Sequence, residues 1–223
     1  MNKRKVGGPI VRAALIGATG LVGSALLREA LDRGHEVTAI VRRPDKLEPR
    51  ERLVAIGVDV NDTDRLAASI RGLDALISAF NPGWKNPNLY DDQVRGTASI
   101  IAAVKKAGVP RVLWVGGAGG LETGSGARVV DDADFPDWVR PGSLATIEAL
   151  EQLRREPQFD WTFLSPAAEM RPGTRTGKFR LGSDRLLVDV NGQSRISVED
   201  FAVAMINELE RPAHSRQRFT VAY

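Results

Sequence analysis

Three glycines spaced three residues apart are the feature that most constrains how this chain can fold. Gly17, Gly20 and Gly23 follow a short apolar run, 13–16, and precede a segment, 24–31, whose apolar residues recur at helical spacing. A tight strand-to-helix turn favours residues that tolerate positive φ, and a phosphate can approach the backbone closely where no Cβ intervenes. The free amide groups at the start of the helix favour an anion. The pattern therefore predicts a pyrophosphate-binding loop; a tight turn without a ligand is the alternative.

Strands and helices alternate through the first two-thirds of the chain, which predicts an α/β fold. We expect a Rossmann-type doubly wound, mostly parallel sheet with helices on both faces. No repeat or linker interrupts the 223 residues, so residues 1–223 are predicted to form a single NAD(P)-binding domain. Its last third, from about 160 to 223, is expected to contribute the substrate side. Predicted strands lie at about 12–16, 36–41, 53–58, 73–79, 111–115, 161–164, 186–190 and 218–222.

Two long connections interrupt the regular pattern. The first, 116–142, is rich in glycine in its first half, which is expected to be flexible. Its second half is interpreted as a lid or substrate wall, or alternatively as a surface excursion packed by Phe135 and Trp138. Ser143 is predicted to cap the helix that follows. The second connection runs over 166–184 and carries several arginines.

The bulk composition excludes several classes of function. Thirty-one basic and 28 acidic residues give a net charge of +3, which is too balanced to indicate nucleic-acid binding. The chain has no cysteine, and neither of its two histidines has neighbours that suggest a metal site, so no metal is expected. No apolar stretch is long enough to cross a membrane, and Lys3-Arg4-Lys5 is interpreted as a solvated tail. We expect a cytoplasmic monomer or homodimer.

The residues after the second strand predict which dinucleotide binds. An NAD site usually carries an acidic residue about 20 positions after the glycine motif, where it accepts a hydrogen bond from the ribose 2′-hydroxyl. Here Arg42 and Arg43 occupy that place. A guanidinium pairs with a 2′-phosphate, so the sequence favours NADP(H), with NAD(H) possible. Two solvated arginines are the alternative.

Other cofactor contacts are expected from the ends of the remaining strands. Asp59 and Val60 follow the third strand, where a carboxylate could accept from the adenine amine; an Asx turn is the alternative. The remaining expected contacts are Gly17, Thr19, Gly20, Leu21, Val22, Gly23, Ser78, Ala79, Phe80, Gly116, Gly117, Pro166 and Ala167.

The chemistry is constrained by a pair of residues that the chain lacks. Tyr90 is followed four positions later by Val94, and Tyr223 is the last residue, so no Tyr-x-x-x-Lys pair exists. Reduction of a ketone or epimerisation of a sugar would lack its acid–base group. Hydride transfer to a flavin is less demanding, because the flavin ring stabilises its own anion. Ser78, Asn81, Ser165 and Glu169 are candidates for positioning, and Trp84 and Trp138 for stacking on the acceptor.

Several stretches together resemble one protein family. They are 14–23, 34–42, 77–80, 115–119, 160–168 and 195–200. These resemble the atypical short-chain dehydrogenases/reductases (SDRs) described as NADH-flavin reductases, which are related to the NmrA-like and biliverdin-IXβ/flavin reductase proteins. The resemblance spans the chain from Val11 onward and implies a Rossmann fold, a nicotinamide cofactor and no catalytic tyrosine.

The first functional hypothesis is an NAD(P)H-dependent reductase of a flavin, bound as substrate or loosely held, or of a similar planar small molecule. A non-catalytic, NmrA-like sensor of NADP(H) is the alternative. A nucleotide-sugar epimerase or dehydratase is disfavoured by the missing tyrosine.

Overall fold

An eight-stranded sheet runs through the centre of the molecule in the computed structural model, which describes residues 9–223. The strand order is β3-β2-β1-β4-β5-β6-β10-β8; neighbours are parallel except for β10 and β8, and β7 pairs with β9 separately. This confirms the predicted doubly wound sheet. The predicted Lys3-Arg4-Lys5 tail lies outside the described residues.

The strands and helices have the following bounds. The strands are β1 (Arg12–Ile16), β2 (Glu36–Val41), β3 (Leu53–Gly57), β4 (Ala75–Ser78), β5 (Arg111–Val115), β6 (Asp160–Ser165), β7 (Glu169–Arg171), β8 (Arg180–Gly182), β9 (Arg195–Ser197) and β10 (Gln217–Ala222). The helices are α1 (Leu21–Asp32), α2 (Thr63–Ile70), α3 (Leu89–Ala107), α4 (Arg140–Arg154) and α5 (Val198–Glu210).

Helices cover both faces of the sheet. On one face, α1 and α5 bury Leu26 and Phe201 in a cluster with Phe219 of β10. On the other face, Leu66 of α2 and Ile100 of α3 join a second cluster. The chain order reverses between β1 and β4, where Ile16 lies opposite Ser78. This switch point, at the carboxyl ends of the strands, is where ligands bind in such sheets.

Parts of the connection 116–142 are packed into the fold. Leu121 and Val130 are buried, and the Val129 amide donates to the Leu121 carbonyl at 2.9 Å. Glu122 pairs through its backbone with Asp184 and Leu186. Of the glycines in its first half, those at 116, 117, 119 and 120 are packed, whereas Gly124 and Gly126 have open space around them, so flexibility around 124–128 stays a prediction. Trp138 is 70% exposed and is not an anchor of this segment.

Two boundaries were also predicted wrongly. Helix α4 begins at Arg140, because Pro141 suits a first helical turn, and Ser143 lies inside the helix instead of capping it. The predicted strand 186–190 is absent; the edge strand is β8, in which Leu181 pairs with Val221. Of the apolar side chains that suggested a strand, Leu187 lies against Gly182, while Val188 and Val190 are exposed.

Three glycines lie directly against aromatic rings. A Cβ atom at these positions would lie 2.2, 2.2 and 2.7 Å from the ring: Gly96 against Phe80, Gly116 against Phe163, and Gly142 against Trp84. Each glycine therefore lets a helix or strand end approach a ring more closely than alanine would allow.

Candidate dinucleotide-binding site

The three glycines of the loop between β1 and α1 differ in how closely their neighbours approach them. Gly17 has φ +81°, and a Cβ there would lie 2.5 Å from the Ala79 carbonyl oxygen. A Cβ on Gly23 would lie 2.0 Å from the Gly17 oxygen. At Gly20 the nearest atom would be that same oxygen, at 3.3 Å. The fold therefore requires Gly17 and Gly23, whereas a Cβ at Gly20 would meet only one tight contact, with the Gly17 carbonyl.

The N-terminus of α1 is not capped by a side chain. Gly20 is its N-cap residue, and no acidic residue lies in the first turn. The first amide groups of a helix have no partner within the helix, and they carry the positive end of its dipole. Thr19 and Leu21 are exposed beside these groups, while Val22 is half-buried. This geometry suits an anionic group such as a pyrophosphate.

Arg42 and Arg43 follow β2 at the same edge of the sheet. Both are exposed, and within residues 9–223 neither forms an ion pair with a carboxylate. The loop is close by, since the Gly17 amide donates to the Ile40 carbonyl at 3.3 Å. The two guanidinium groups are therefore available to an anion near the glycine loop.

Asp59 forms the Asx turn that the sequence left open. Its Oδ1 accepts from the backbone and side-chain nitrogens of Asn61, at 2.9 and 3.1 Å. The side chain of Val60 is buried in the core, and its carbonyl accepts from Ser99 Oγ at 2.6 Å. The Asp59 carboxylate is exposed and keeps its second oxygen, so an adenine contact stays a prediction.

Two buried hydroxyl groups lie at the strand ends of the other half of the sheet. Ser78 ends β4, beside Ile16 of β1 and Trp114 of β5, and Ser165 ends β6. Within the described part of the chain, neither Oγ has a hydrogen-bond partner. Because buried polar groups are rarely unpaired, such atoms at a ligand-binding edge suggest an unfilled partner.

Helix α3 contributes two more unpaired polar atoms, which the sequence analysis missed. Gln93 Nε2 donates to the Phe80 carbonyl at 3.1 Å, while its Oε1 is buried without a partner among residues 9–223. The same holds for Thr97 Oγ1, one turn later. Polar residues four apart on the apolar face of a helix were the available signal.

The other predicted residues at these strand ends are mostly used by the fold. Asn81 Oδ1 accepts from the Gly83 amide at 2.7 Å and so forms a turn. The Phe80 ring lies on α3, and the position of Gly117 lies against Thr146. Pro166 and Ala167 are buried after β6.

Glu169 lies on β7, which pairs with β9 outside the main sheet. Its carboxylate pairs with Arg171 at 2.6 Å and Arg195 at 3.5 Å. These ion pairs already satisfy the carboxylate, so its expected role in positioning has no support from the geometry.

The structure brings Trp84 and Trp138 together. Their rings are 6.0 Å apart and meet edge to face at 73°, although they belong to the loops after β4 and β5. Trp84 is 53% exposed. Arg140 holds the second loop, donating to the carbonyls of Val130 and Phe135. The result is an exposed aromatic pair that an apolar ring could contact.

The segment after β6 is fixed by one buried carboxylate. Asp200 accepts from the amides of Thr176 and Gly177, at 2.8 and 2.7 Å, and from the Tyr223 hydroxyl at 2.9 Å. Burial acts to raise the pKa of Asp200, but these hydrogen bonds outweigh it and hold the pKa below its usual value.

The arginines of this segment also have partners. Arg175 forms two hydrogen bonds with Glu29 at 2.7 Å, and Arg180 donates to the Val188 carbonyl at 2.8 Å. They are therefore structural rather than free to attract an anionic substrate.

Two kinds of feature are absent from the part of the chain that the structure describes. No group of three or more metal-binding side chains occurs in it. No helix in it combines the length and apolar character that a membrane crossing requires.

Comparison with known proteins identifies the class of ligand. A family model described as NAD(P)H-binding matches residues 17–209. The uncharacterised protein YwnB of Bacillus subtilis is 38% identical over 95% of this chain and 98% of its own length.

Two solved structures share the whole fold. A putative epimerase from Bacteroides thetaiotaomicron is 49% identical, with a TM-score of 0.90, over 96% of this chain and 98% of its own. A putative NADH-flavin reductase from Streptococcus pneumoniae is 32% identical, with a TM-score of 0.82, over 95% of this chain and 99% of its own.

Proposed function

The chain belongs to the NAD(P)H-binding family, and from that premise we propose that it is an NADPH-preferring reductase of a flavin or similar planar acceptor. The observation that carries the cofactor preference is the pair Arg42 and Arg43, exposed and without carboxylate partners among residues 9–223, beside the uncapped start of α1. In this arrangement the α1 amides hold the pyrophosphate, and the arginines hold the 2′-phosphate.

The state of the two tyrosines supports direct hydride transfer. The Tyr223 hydroxyl lies within hydrogen-bond distance of Ser197 Oγ and Asp200 Oδ2, at 2.8 and 2.9 Å, and burial raises its pKa, so it is a poor acid for the reaction. Tyr90 lies on α3, where it is 41% exposed and has Val94, not a lysine, four residues later. A flavin needs no such acid: NADPH, oxidised flavin and one proton give NADP⁺ and reduced flavin, with the proton taken from water. The chain's task is to orient the two rings and to exclude side reactions.

The remaining residues have matching roles in this proposal. Ser78 and Ser165 offer their unpaired hydroxyls to the ribose or the carboxamide at the nicotinamide end. Trp84 and Trp138 supply a surface on which the acceptor ring stacks. The residues from about 160 onward contribute the acceptor side of a single domain.

The two similar solved structures carry different descriptions, an epimerase and a flavin reductase. Epimerisation at an alcohol carbon needs a proton donor and acceptor near that carbon, and the missing Tyr-x-x-x-Lys pair favours the reductase.

The experiment that tests the proposal is NADPH oxidation with FMN, riboflavin and a quinone as separate acceptors. Turnover with at least one of them supports a reductase. Tight NADPH binding without turnover of any acceptor would favour the non-catalytic sensor. Alanine variants of Ser78 and Ser165 should slow hydride transfer about tenfold, and a thousandfold loss would instead indicate a general acid.

A further inference from the structure

Arg218, on β10, joins three segments that are far apart in the sequence. Its Nη1 donates to the Gly120 carbonyl at 2.7 Å, and its Nε donates to Asp184 Oδ1 at 2.7 Å. The side chain is 8% exposed. We call Arg218, Asp184 and the Gly120 carbonyl the Arg218 bracket.

Backbone hydrogen bonds continue the same connection. The Glu122 amide donates to the Asp184 carbonyl, and the Leu186 amide donates to the Glu122 carbonyl, both at 2.8 Å. The bracket therefore fixes the segment after β5 to the segment before Leu186. Only a guanidinium has planar donors spaced to reach both a carboxylate and a carbonyl from one buried position; an ammonium group does not.

The loop held by the bracket begins at the carboxyl end of β5. Its glycines pack on neighbouring side chains: a Cβ on Gly119 would lie 2.8 Å from Ser143 Cβ, and one on Gly120 would lie 3.0 Å from Ile147 Cγ1. Arg218, Gly117 and Gly120 also line a small cavity beside Phe163. The loop is thus pressed against α4 on one side and held by Arg218 on another.

The location of this loop relates it to one half of the cofactor. In doubly wound sheets each half of the sheet binds one half of a dinucleotide, and the two meet at the switch point. The glycine motif and Arg42 belong to the β1–β3 half, which leaves the β4–β6 half for the nicotinamide. Gly116 and Gly117, which directly follow β5, lie in that second half.

We propose that Arg218 is a positioning residue for the nicotinamide half of the cofactor. It acts through the Gly120 carbonyl, by holding the loop 116–120 in place, and it does not touch the cofactor itself. This inference rests on the proposed function, because it assumes that NADPH is the ligand.

Two ligands separate this role from a general effect on the fold. NADPH occupies both halves of the site, whereas adenosine 2′,5′-bisphosphate can reach only the β1–β3 half. Dissociation constants for both are measured with the parent, Arg218→Gln and Arg218→Lys, together with thermal unfolding. Arg216→Gln is the matched control, since Arg216 lies two residues from Arg218 and also donates to a backbone carbonyl, but to that of Pro157, which is outside the loop 116–120.

Arg218→Gln is expected to weaken NADPH binding about tenfold and to leave adenosine 2′,5′-bisphosphate binding unchanged, because a displaced loop misplaces only the nicotinamide end. Arg218→Lys keeps the charge beside Asp184 but loses the bridge to Gly120, so it should recover thermal stability and not NADPH affinity. Asp184→Asn keeps an acceptor for Nε and should show a smaller loss than Arg218→Gln.

Three results would overturn the inference. These are equal losses for both ligands, unchanged NADPH binding in both Arg218 variants, and the same selective loss in Arg216→Gln. If Arg218→Gln does not fold, Arg218→Lys and Asp184→Asn decide the question alone. If the parent does not bind NADPH, both the proposed function and the role of the Arg218 bracket are contradicted. If the parent binds NADPH and the variants bind it equally well, only the role of the bracket is contradicted.

Discussion

The two halves of the candidate site are built in different ways. The glycine loop and β2 are held by backbone hydrogen bonds between residues that are close in sequence or lie on adjacent strands. For example, the Gly20 amide donates to the Gly17 carbonyl at 2.9 Å. The proposed acceptor side, formed by residues from about 160 onward, depends on side chains that bind residues far away in the sequence. Arg218 binds Gly120, 98 residues away, and Arg175 binds Glu29, 146 residues away.

This difference predicts different responses to substitution. A loop made of backbone tolerates few side chains at its own positions but depends little on distant residues. A segment held by long-range ion pairs and hydrogen bonds tolerates changes along its length, yet it should loosen when one distant partner is removed. The following substitutions test this contrast, beginning with the largest expected effect.

Gly23→Val and Gly20→Val should separate packing from ligand binding within the glycine loop. Valine at 23 would collide with the Gly17 carbonyl, so we expect a loss of about 3 kcal/mol or more in the free energy of unfolding. Valine at 20 would meet only the Gly17 carbonyl oxygen, at 3.3 Å from its Cβ, so it should cost less stability than valine at 23, yet abolish NADPH binding. Urea unfolding and NADPH titration measure the two effects. Normal binding by Gly20→Val would mean that the loop holds no pyrophosphate.

Asp200→Asn should loosen the acceptor side. Losing the charge weakens hydrogen bonds from Thr176, Gly177 and Tyr223, at a cost of about 1–3 kcal/mol at pH 7. Because the pKa of Asp200 is lowered in the folded state, its contribution is complete above the ordinary aspartate pKa, near 4, and is lost as the pH falls through the native value.

The measurement for Asp200→Asn is thermal unfolding from pH 7 to pH 3, and the variant should lose less stability on acidification than the parent. Asp189→Asn is the control, because the Asp189 side chain accepts from amides of its own turn, those of Asn191 and Gln193. A parent and variant with parallel pH profiles would show that Asp200 does not supply this stability.

Arg42→Ala and Arg43→Ala should affect cofactor choice without affecting the fold. One charge-assisted pair with a phosphate contributes about 1.5–3 kcal/mol, so at least one variant should lose about tenfold or more in NADPH affinity. NADH affinity should change little, because NADH lacks the 2′-phosphate. Titration with both dinucleotides decides the matter, and equal affinities in the parent would contradict the NADPH preference.

Trp138→Ala should give the smallest effect, confined to the acceptor, whereas Trp84→Ala also removes the ring against which Gly142 packs and should lower stability as well. A stacking contact of about 0.5–1.5 kcal/mol corresponds to a rise of about two- to tenfold in the KM for the acceptor, with NADPH affinity retained. Trp114 and Trp161 are buried, so quenching of the more exposed tryptophans by a bound flavin gives an independent signal. A larger loss of NADPH affinity than of acceptor affinity would place the pair elsewhere.

The sequence predicted those parts of the molecule that local rules determine. The alternation of strands and helices, and the mostly parallel sheet with helices on both faces, follow from hydrophobic spacing along the chain. The glycine motif located the loop correctly for the same reason.

What the sequence could not predict depends on contacts between distant residues. The run 186–188 is apolar like a strand, but β10 pairs with β8 instead, and no local pattern records that choice. The glycines at 116–120 suggested mobility. No local pattern indicated that they are packed, because the side chains they pack against, such as Phe163, lie some 45 residues further on. Gln93 and Arg218 were missed since their partners, Phe80, Gly120 and Asp184, become neighbours only in the fold.

The three glycine–aromatic contacts limit how this sequence can vary. At Gly96, Gly116 and Gly142 an added methyl group would occupy the space of a ring that belongs to another element. Neither partner can change size alone without creating a clash or a void, so the two positions of each contact are expected to change together. A chain of this fold that carries alanine at one of these glycines should carry a smaller residue in place of the facing ring. Such paired exchanges would be invisible to any comparison that scores positions one at a time.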